Sequence, residues 1–281
     1  MKISARLTSG VGNRLFQYAS IKGIAASLNC DFEIGQVEYD SAHRKNYTWF
    51  LDRISKYINT SPEESIYKYE QPYNEHVGVV SHVNMDHNAK ILVMHGYFQH
   101  EDYFFSIADD IRYELRISET VKSKIETYCK PIGKPLIDVY AIHFRLGDYI
   151  HCGKHFVNLM SYYKKCINNI RENKINNESL NFLIVCEDPQ NIEFMYPGLL
   201  SFIKEAGCIH LFNINDNEYG RDELDLYVLT LCKGVICSNS TYAWWGAWIN
   251  SVPDKKIFIP SKWLQDRNQI INMKGAIVVD V

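Results

Sequence analysis

His143 and Arg145 stand two apart at the end of an apolar run, "LIDVYAIHFRLGDYI" (Leu136 to Ile150), and Gly147 and Asp148 follow at once. Side chains alternate across a strand, so His143 and Arg145 share one face while Phe144 and Leu146 point to the other. A planar guanidinium that stays charged at any working pH suits phosphate oxygens, and a diphosphate above all. Gly147 would permit a tight turn past the strand, and Asp148 could hold the guanidinium in its bound rotamer. Taken alone, the motif reads equally well as a structural Arg-Asp pair closing a strand.

Three further segments carry residues of the same kind. In "TSGVGNRLFQYA" (Thr8 to Ala19) a glycine turn leads from a strand into a helix, offering free N–H groups and the positive helix end to an anion. It is not a nucleotide fingerprint: Leu15 fills the third glycine position of a dinucleotide loop, and the lysine of a phosphate-binding loop is absent. By itself it is an ordinary tight turn. In "SNSTYAWWGAWIN" (Ser238 to Asn250) Ser240 or Thr241 stands at a helix start as N-cap, with Trp244, Trp245 and Trp248 as core weight. The same hydroxyls and N–H groups could grip phosphate. Upstream, Asp225 in "RDELDLYVLTLCKG" is either a solvated helical acid or an acceptor for the N1 and N2 hydrogens of guanine. His76, His82, His87, His95 and His100 cluster in sequence without helical or finger spacing, so no metal site is expected.

The elements that must position these residues follow from composition and periodicity. A chain of 281 residues with 46% hydrophobic content can bury a full core and form two domains. A net charge of −3 provides no field for duplex binding, so nucleic acid is not an expected partner. The start, "MKISARLTSG", has no apolar leader pattern and no run is long enough to span a bilayer. The expected location is cytoplasmic, with any membrane association peripheral. The eight cysteines are scattered without a CxxC pair, which reads as buried reduced thiols.

The opening reads as a βαβ unit: strand "KISARLT", a helix from Asn13 to about Leu28, and strand "DFEIG". The middle, from Tyr39 to Tyr128, is less regular. It holds a strand at "AKILVMHGYFQ" and helices around "EDYFFSIADD" and "SETVKSKIETYC". Beyond "KPIGKP" the apolar runs "LIDVYAIHF", "LNFLIVCE", "CIHLFNI", "KGVICS" and "KIFIP" alternate with helical patterns, which predicts a doubly wound parallel sheet. Two α/β domains are expected, 1–131 and 132–281. Ligands of open parallel sheets bind at the carboxyl ends of the strands, where His143 and Arg145 fall.

Read together and in order, "GVGNRLFQYA", "GYFQHEDYF" (Gly96 to Phe104), "HFRLGDY" and "NSTYAWWGAW" resemble the motifs of the α-1,2-fucosyltransferase family, the inverting GDP-fucose-dependent enzymes of glycosyltransferase family 11. The resemblance touches both expected domains. It implies a GT-B-like fold of two Rossmann-type domains facing across a cleft. It also implies transfer of L-fucose from GDP-β-L-fucose to a galactoside hydroxyl, the 2-hydroxyl of galactose, with inversion and without a metal. The partners implied are the GDP-fucose donor and a galactose-containing glycan acceptor.

Residue by residue, the resemblance implies that Arg145 grips the donor diphosphate and His143 lies near the nucleoside. Asn239, Ser240 and Thr241 would lie at the phosphates, and Asp225 would read guanine. Gly12 of the glycine loop would help bind the donor, and Asn13, with Arg14, would face the reacting centre from the first domain. Asp148 is the partner expected for Arg145. The sequence departs from the family pattern at Leu146, where a second arginine is usual, and at His100 and Asp102, where Ser and Lys are usual. Arg14 is one candidate to make up the missing charge. Two rivals share the site: a transferase of another GDP-deoxyhexose or to another acceptor, and a module that binds GDP or glycan without turnover. A Rossmann-type oxidoreductase is disfavoured by Leu15.

Overall fold

The computed structural model describes residues 2–40, 47–59, 66–70, 90–147, 149, 153, 155–174, 179–266 and 270–281. The chain divides into two compact units, Met1–Arg116 and Ile117–Val281. The helix at Glu119–Cys129, which an edge near residue 132 assigns to the first domain, groups with the second unit.

The first unit runs β1 (Lys2–Leu7), α1 (Val11–Ser27), β2 (Asp31–Val37), α2 (Thr48–Arg53), β3 (Ile66–Glu70), β4 (Ile91–His95) and α3 (Ala108–Glu114). The four strands among its described residues are all parallel, in the order β2-β1-β4-β3. The chain steps from β1 outward to β2 and later returns to β1's other side as β4, so the order reverses between β1 and β4. The expected helix at "EDYFFSIADD" forms instead as two short 3₁₀ turns, Glu101–Tyr103 and Phe105–Ile107, ahead of α3. Packing explains the difference. A Cβ on Gly23 of α1 would lie 2.1 Å from the Tyr103 carbonyl oxygen, so this backbone is pressed onto the helix. Phe104 meets Phe16 edge-on at 6.2 Å.

The second unit runs α4 (Glu119–Cys129), β5 (Tyr140–Phe144), α5 (Met160–Glu172), β6 (Asn181–Cys186), α6 (Ile192–Met195), α7 (Leu199–Ala206), β7 (Cys208–Phe212), α8 (Arg221–Leu231), β8 (Gly234–Ile236), α9 (Thr241–Ile249), β9 (Lys256–Pro260) and β10 (Ile277–Val279). The six strands among its described residues are parallel, in the order β10-β9-β8-β5-β6-β7. Here the order reverses between β5 and β8. The run "LIDVYAIHF" is not strand throughout: Leu136–Asp138 is a 3₁₀ turn, closed by the Asp138 N–H donating to the Pro135 carbonyl at 2.9 Å.

The alternation expected for β5 continues beyond its last residue. Tyr140, Ile142, Phe144 and Leu146 enter one apolar cluster with Tyr162, Tyr163, Cys166 and Ile167 of α5, which leaves Ala141, His143 and Arg145 to the other face. Two buried tyrosines of α5 then hold the strand ends. The Tyr163 hydroxyl donates to the His143 carbonyl at 3.0 Å. The Tyr162 hydroxyl lies 2.7 Å from the Cys237 carbonyl and 2.8 Å from that of Phe258, joining the exits of β8 and β9.

Burial pushes the thiols of Cys129 and Cys186 up to about 12, and those of Cys166, Cys232 and Cys237 upward as well. These are reduced core residues, as expected. Cys208 departs from the expectation: it is exposed, because β7 is the edge strand of its sheet. Among the described residues no helix is long and apolar enough to cross a membrane.

Tyr162→Phe leaves the buried Cys237 carbonyl without this donor, while the Phe258 carbonyl keeps the Cys237 N–H at 3.0 Å. A loss of about 1 to 3 kcal/mol is expected for a group so orphaned. It should be read as a lowered urea midpoint for the second unit, with a larger effect than Tyr→Phe at exposed Tyr113.

Candidate active site

In open parallel sheets the crevice for a ligand opens at the strand carboxyl ends where the strand order reverses. In the second unit that point lies between β5 and β8, and the sequence-predicted residues gather there. His143, the penultimate residue of β5, has its Nδ1 2.8 Å from the hydroxyl of Ser238, just past β8. Its ring lies 5.8 Å from that of Tyr242 in the first turn of α9. Burial, reinforced by the positive charge of Arg145, pushes His143 down to about 3. It is therefore a neutral imidazole at any working pH, a hydrogen-bonding group and not a cation.

Arg145 follows β5 directly. Its Nη1 donates to Glu187 Oε2 at 2.8 Å, and its guanidinium carbon lies 5.1 Å above the Tyr149 ring. The partner follows from strand register. Phe144 pairs with Cys186 in the parallel β5–β6 ladder, so the next residue on each strand brings Arg145 beside Glu187. Gly147 does not adopt a left-handed turn, and a Cβ there would lie 2.5 Å from Glu187 Oε1 and 2.7 Å from its carboxyl carbon, so a side chain would displace the Glu187 carboxylate. The sequence reading missed Glu187. Its signal was an acid directly after the apolar run "NFLIVC", visible only once the two strands are aligned. Asp148, the partner expected from sequence, lies outside the described residues.

Ser240 is buried and is the N-cap residue of α9, and Thr241 opens the helix. Its side chain makes no capping bond, so the first turn of α9 carries no side-chain cap at the crevice. Asn239 is buried, and its amide nitrogen donates to the carbonyls of His155 at 2.8 Å and Trp263 at 2.9 Å, fastening two loops to the exit of β8.

Asp225 lies one turn into α8. Its Oδ2 accepts from Arg221 Nε at 3.3 Å, while its buried Oδ1 has no hydrogen-bond partner among the described residues. Burial raises this carboxyl to about 7 in spite of Arg221. A buried acceptor without a donor is costly, which marks the spot as one that a ligand N–H would satisfy. Arg221 Nη2 donates to the Cys186 carbonyl at 2.7 Å, tying the start of α8 to the exit of β6.

The first unit repeats the pattern at its own reversal point. Gln17 of α1 accepts from the Thr8 N–H at 2.8 Å and donates to the Gly96 carbonyl at 3.1 Å, joining the exits of β1 and β4. Ser9 and Tyr97 hydroxyls are 3.1 Å apart, and Gln99 donates to Asn13 Oδ1 at 2.9 Å. Gly12 and Asn13 lie in the first turn of α1, so the motifs "GVGNRLFQYA" and "GYFQHEDYF" form one assembly. The unusual His100 caps its short turn, accepting from the Asp102 N–H at 3.2 Å. Arg14 is wholly buried within the unit. It donates to the Ser9 carbonyl at 2.7 Å and to that of Glu38, and it lies 5.2 Å over the Tyr47 ring. It braces the exits of β1 and β2. His76, His82 and His87 lie outside the described residues, among which no group of three or more metal-ligating side chains is found.

The strand reversal of this parallel-sheet unit thus gathers a guanidinium, a helix start and a buried carboxyl oxygen without a hydrogen-bond partner among the described residues. The profile of Glycosyl transferase family 11 matches residues 66–270, most of the chain, and the chain belongs to that family. It is similar to the O-antigen biosynthesis glycosyltransferase WbnK of Escherichia coli, at 27% identity over 94% of this chain and 95% of that one. It is also similar to an alpha-1,2-colitosyltransferase of Escherichia coli, at 24% identity over 94% and 92%.

Among solved structures the fold is similar to the fucosyltransferase NodZ from Bradyrhizobium, with TM-score 0.50, 12% identity and coverage of 87% and 91%. It is likewise similar to POFUT1 in complex with GDP-fucose, with TM-score 0.52, 10% identity and coverage of 88% and 93%. The fold is GT-B-like, with each unit built on a parallel sheet.

The raised Asp225 carboxyl makes a pH-dependent contribution of definite sign. Its folded value, about 7, lies above the ordinary 3.8, so the native state holds the proton more tightly. Stability from this group is present below about pH 4 and is lost as pH rises through 7. Asp225→Asn should therefore gain stability relative to wild type between pH 5 and pH 8, measured as the difference in urea midpoints. A difference that does not change with pH would contradict the assignment.

Proposed function

We propose that the protein transfers L-fucose from GDP-β-L-fucose to the 2-hydroxyl of a galactoside, with inversion and without a metal. The observation that carries the reading is the juxtaposition of Arg145 and the start of α9 at the exits of two adjacent parallel strands, β5 and β8. Family membership supports a glycosyltransferase, and a relative named for alpha-1,2 transfer supports the linkage. A fold neighbour solved after soaking with GDP-fucose supports the donor.

Breaking the fucosyl C1–O bond sends its electron pair to the β-phosphate, leaving GDP with added negative charge and a cation-like sugar. Fixed donors already aimed at those oxygens are the largest catalytic contribution available to such a site. Arg145 supplies a charged fork, and Ser240 and Thr241 supply hydroxyls and the N–H groups of a helix start. Asp225 Oδ1 accepts from the guanine edge, and neutral His143 lines the nucleoside without repelling Arg145. The acceptor hydroxyl attacks C1 from the opposite face as the C1–O bond to GDP breaks, and its proton passes to solvent, giving α-linked fucose. Gly12 is assigned to the donor phosphates, and Asn13, whose Oδ1 accepts from Gln99, to the reacting centre.

The name of the colitosyltransferase keeps a second reading in view, in which the donor carries a different deoxy sugar. Purified protein incubated with EDTA, GDP-fucose and a panel of galactosides should yield a galactoside heavier by one deoxyhexose. Transfer only from another GDP-sugar would favour the second reading. Arg145→Ala, with an unchanged circular dichroism spectrum, should lower the transfer rate by at least about 100-fold, since it removes a charged contact made to the departing phosphate. Near-normal turnover would remove Arg145 from the mechanism.

A further inference from the structure

Arg145 cannot carry a diphosphate alone. A nucleoside diphosphate leaving group brings at least two negative charges, and the one guanidinium after β5 already shares its charge with Glu187. The neighbouring position in sequence offers no help, because Leu146 is fully buried in the core cluster on the opposite face. Arg14 is wholly buried inside the first unit, where Nε and Nη2 bond two backbone carbonyls and Nη1 has no hydrogen-bond partner among the described residues.

A second guanidinium does stand at the crevice. Arg221 is the first residue of α8, and its bond to the carbonyl of Cys186, the last residue of β6, brings it to the strand exits that hold Arg145 and Glu187. The two arginines bracket consecutive residues of the same strand end, Arg221 through the carbonyl of 186 and Arg145 through the carboxylate of 187. Arg221 is fixed twice, at Nε by Asp225 and at Nη2 by Cys186, which sets its plane. Its Nη1 makes no hydrogen bond among the described residues, and about a third of the side chain is exposed, at 32%. A guanidinium held on two nitrogens with the third free is preorganised to receive one anionic oxygen. Beside it lies the unpartnered, buried Oδ1 of Asp225, an independent sign that a ligand completes this corner.

We infer that Arg221 is a second anion-binding arginine of this site, donating from Nη1 to the diphosphate of a guanosine-diphosphate ligand. This inference rests on the reading of the site as a GDP-sugar site.

The test compares GDP with guanosine, which lacks the diphosphate, by isothermal titration of the full chain. Wild type should bind GDP far more tightly than guanosine. Arg221→Met should weaken GDP by about 10- to 100-fold, the range for one charged hydrogen bond, while guanosine changes by less than about threefold. Arg221→Lys should recover part of the loss. Should the methionine variant fail to fold by thermal melting, Arg221→Gln, which keeps a donor for the Cys186 carbonyl, replaces it in the same comparison.

An equal loss for both ligands would overturn the inference and reduce Arg221 to a support for Asp225. An unchanged GDP affinity would also overturn it. Wild type that binds no GDP while remaining folded would instead overturn the parent reading, and this one with it.

Discussion

Strand β5 serves two faces at once, and the site depends on its doing so. It is central in its sheet, paired on both sides, so every residue from Tyr140 onward must satisfy either the α5 core or the crevice. Strict alternation divides them: Phe144 and Leu146 are buried in apolar packing, and His143 and Arg145 are delivered to the other face. A slip by one residue would bury the guanidinium in the core, at a cost no pairing there could offset. The two α5 tyrosines that bond the carbonyls of His143, Cys237 and Phe258 keep the strand exits aligned, and Glu187 meets Arg145 because the β5–β6 register permits nothing else.

Burial separates the titrating groups of the crevice by function. The same desolvation that drives His143 down to about 3 drives Asp225 up to about 7, since each favours its uncharged form. The imidazole is thus a fixed neutral partner of Ser238. The carboxyl is poised near neutrality, ready to ionise when a ligand donates N–H to it. Arg145 and Arg221 reach the same strand end, beside a carboxyl whose charge is conditional.

What could be read from sequence was whatever is local. The period-2 run into His143 and Arg145, the glycine turn into α1, and the helix start at Ser240 are patterns within a few residues, and each falls where expected, although Ser240 makes no side-chain capping bond. Partnerships across the chain were not legible. Glu187 is one acid among many until β5 and β6 are aligned, and Gly147 looks like a turn glycine until that carboxylate is beside it. Arg14 reads as a free cation next to a glycine loop, whereas the structure buries it against the carbonyls of Ser9 and Glu38. The Leu136–Asp138 turn and the broken helix after Gly96 share a cause: apolar pattern without the tertiary contact that decides between strand, helix and 3₁₀ turn.

The central claim is that the crevice between β5 and β8 receives the diphosphate of the donor. A crystal structure of the protein with GDP tests it most directly. The account predicts phosphate oxygens within hydrogen-bonding distance of Arg145 and of the first turn of α9, with the base toward Asp225. GDP bound elsewhere on the chain, with the Arg145–Glu187 pair and the start of α9 untouched, would contradict it.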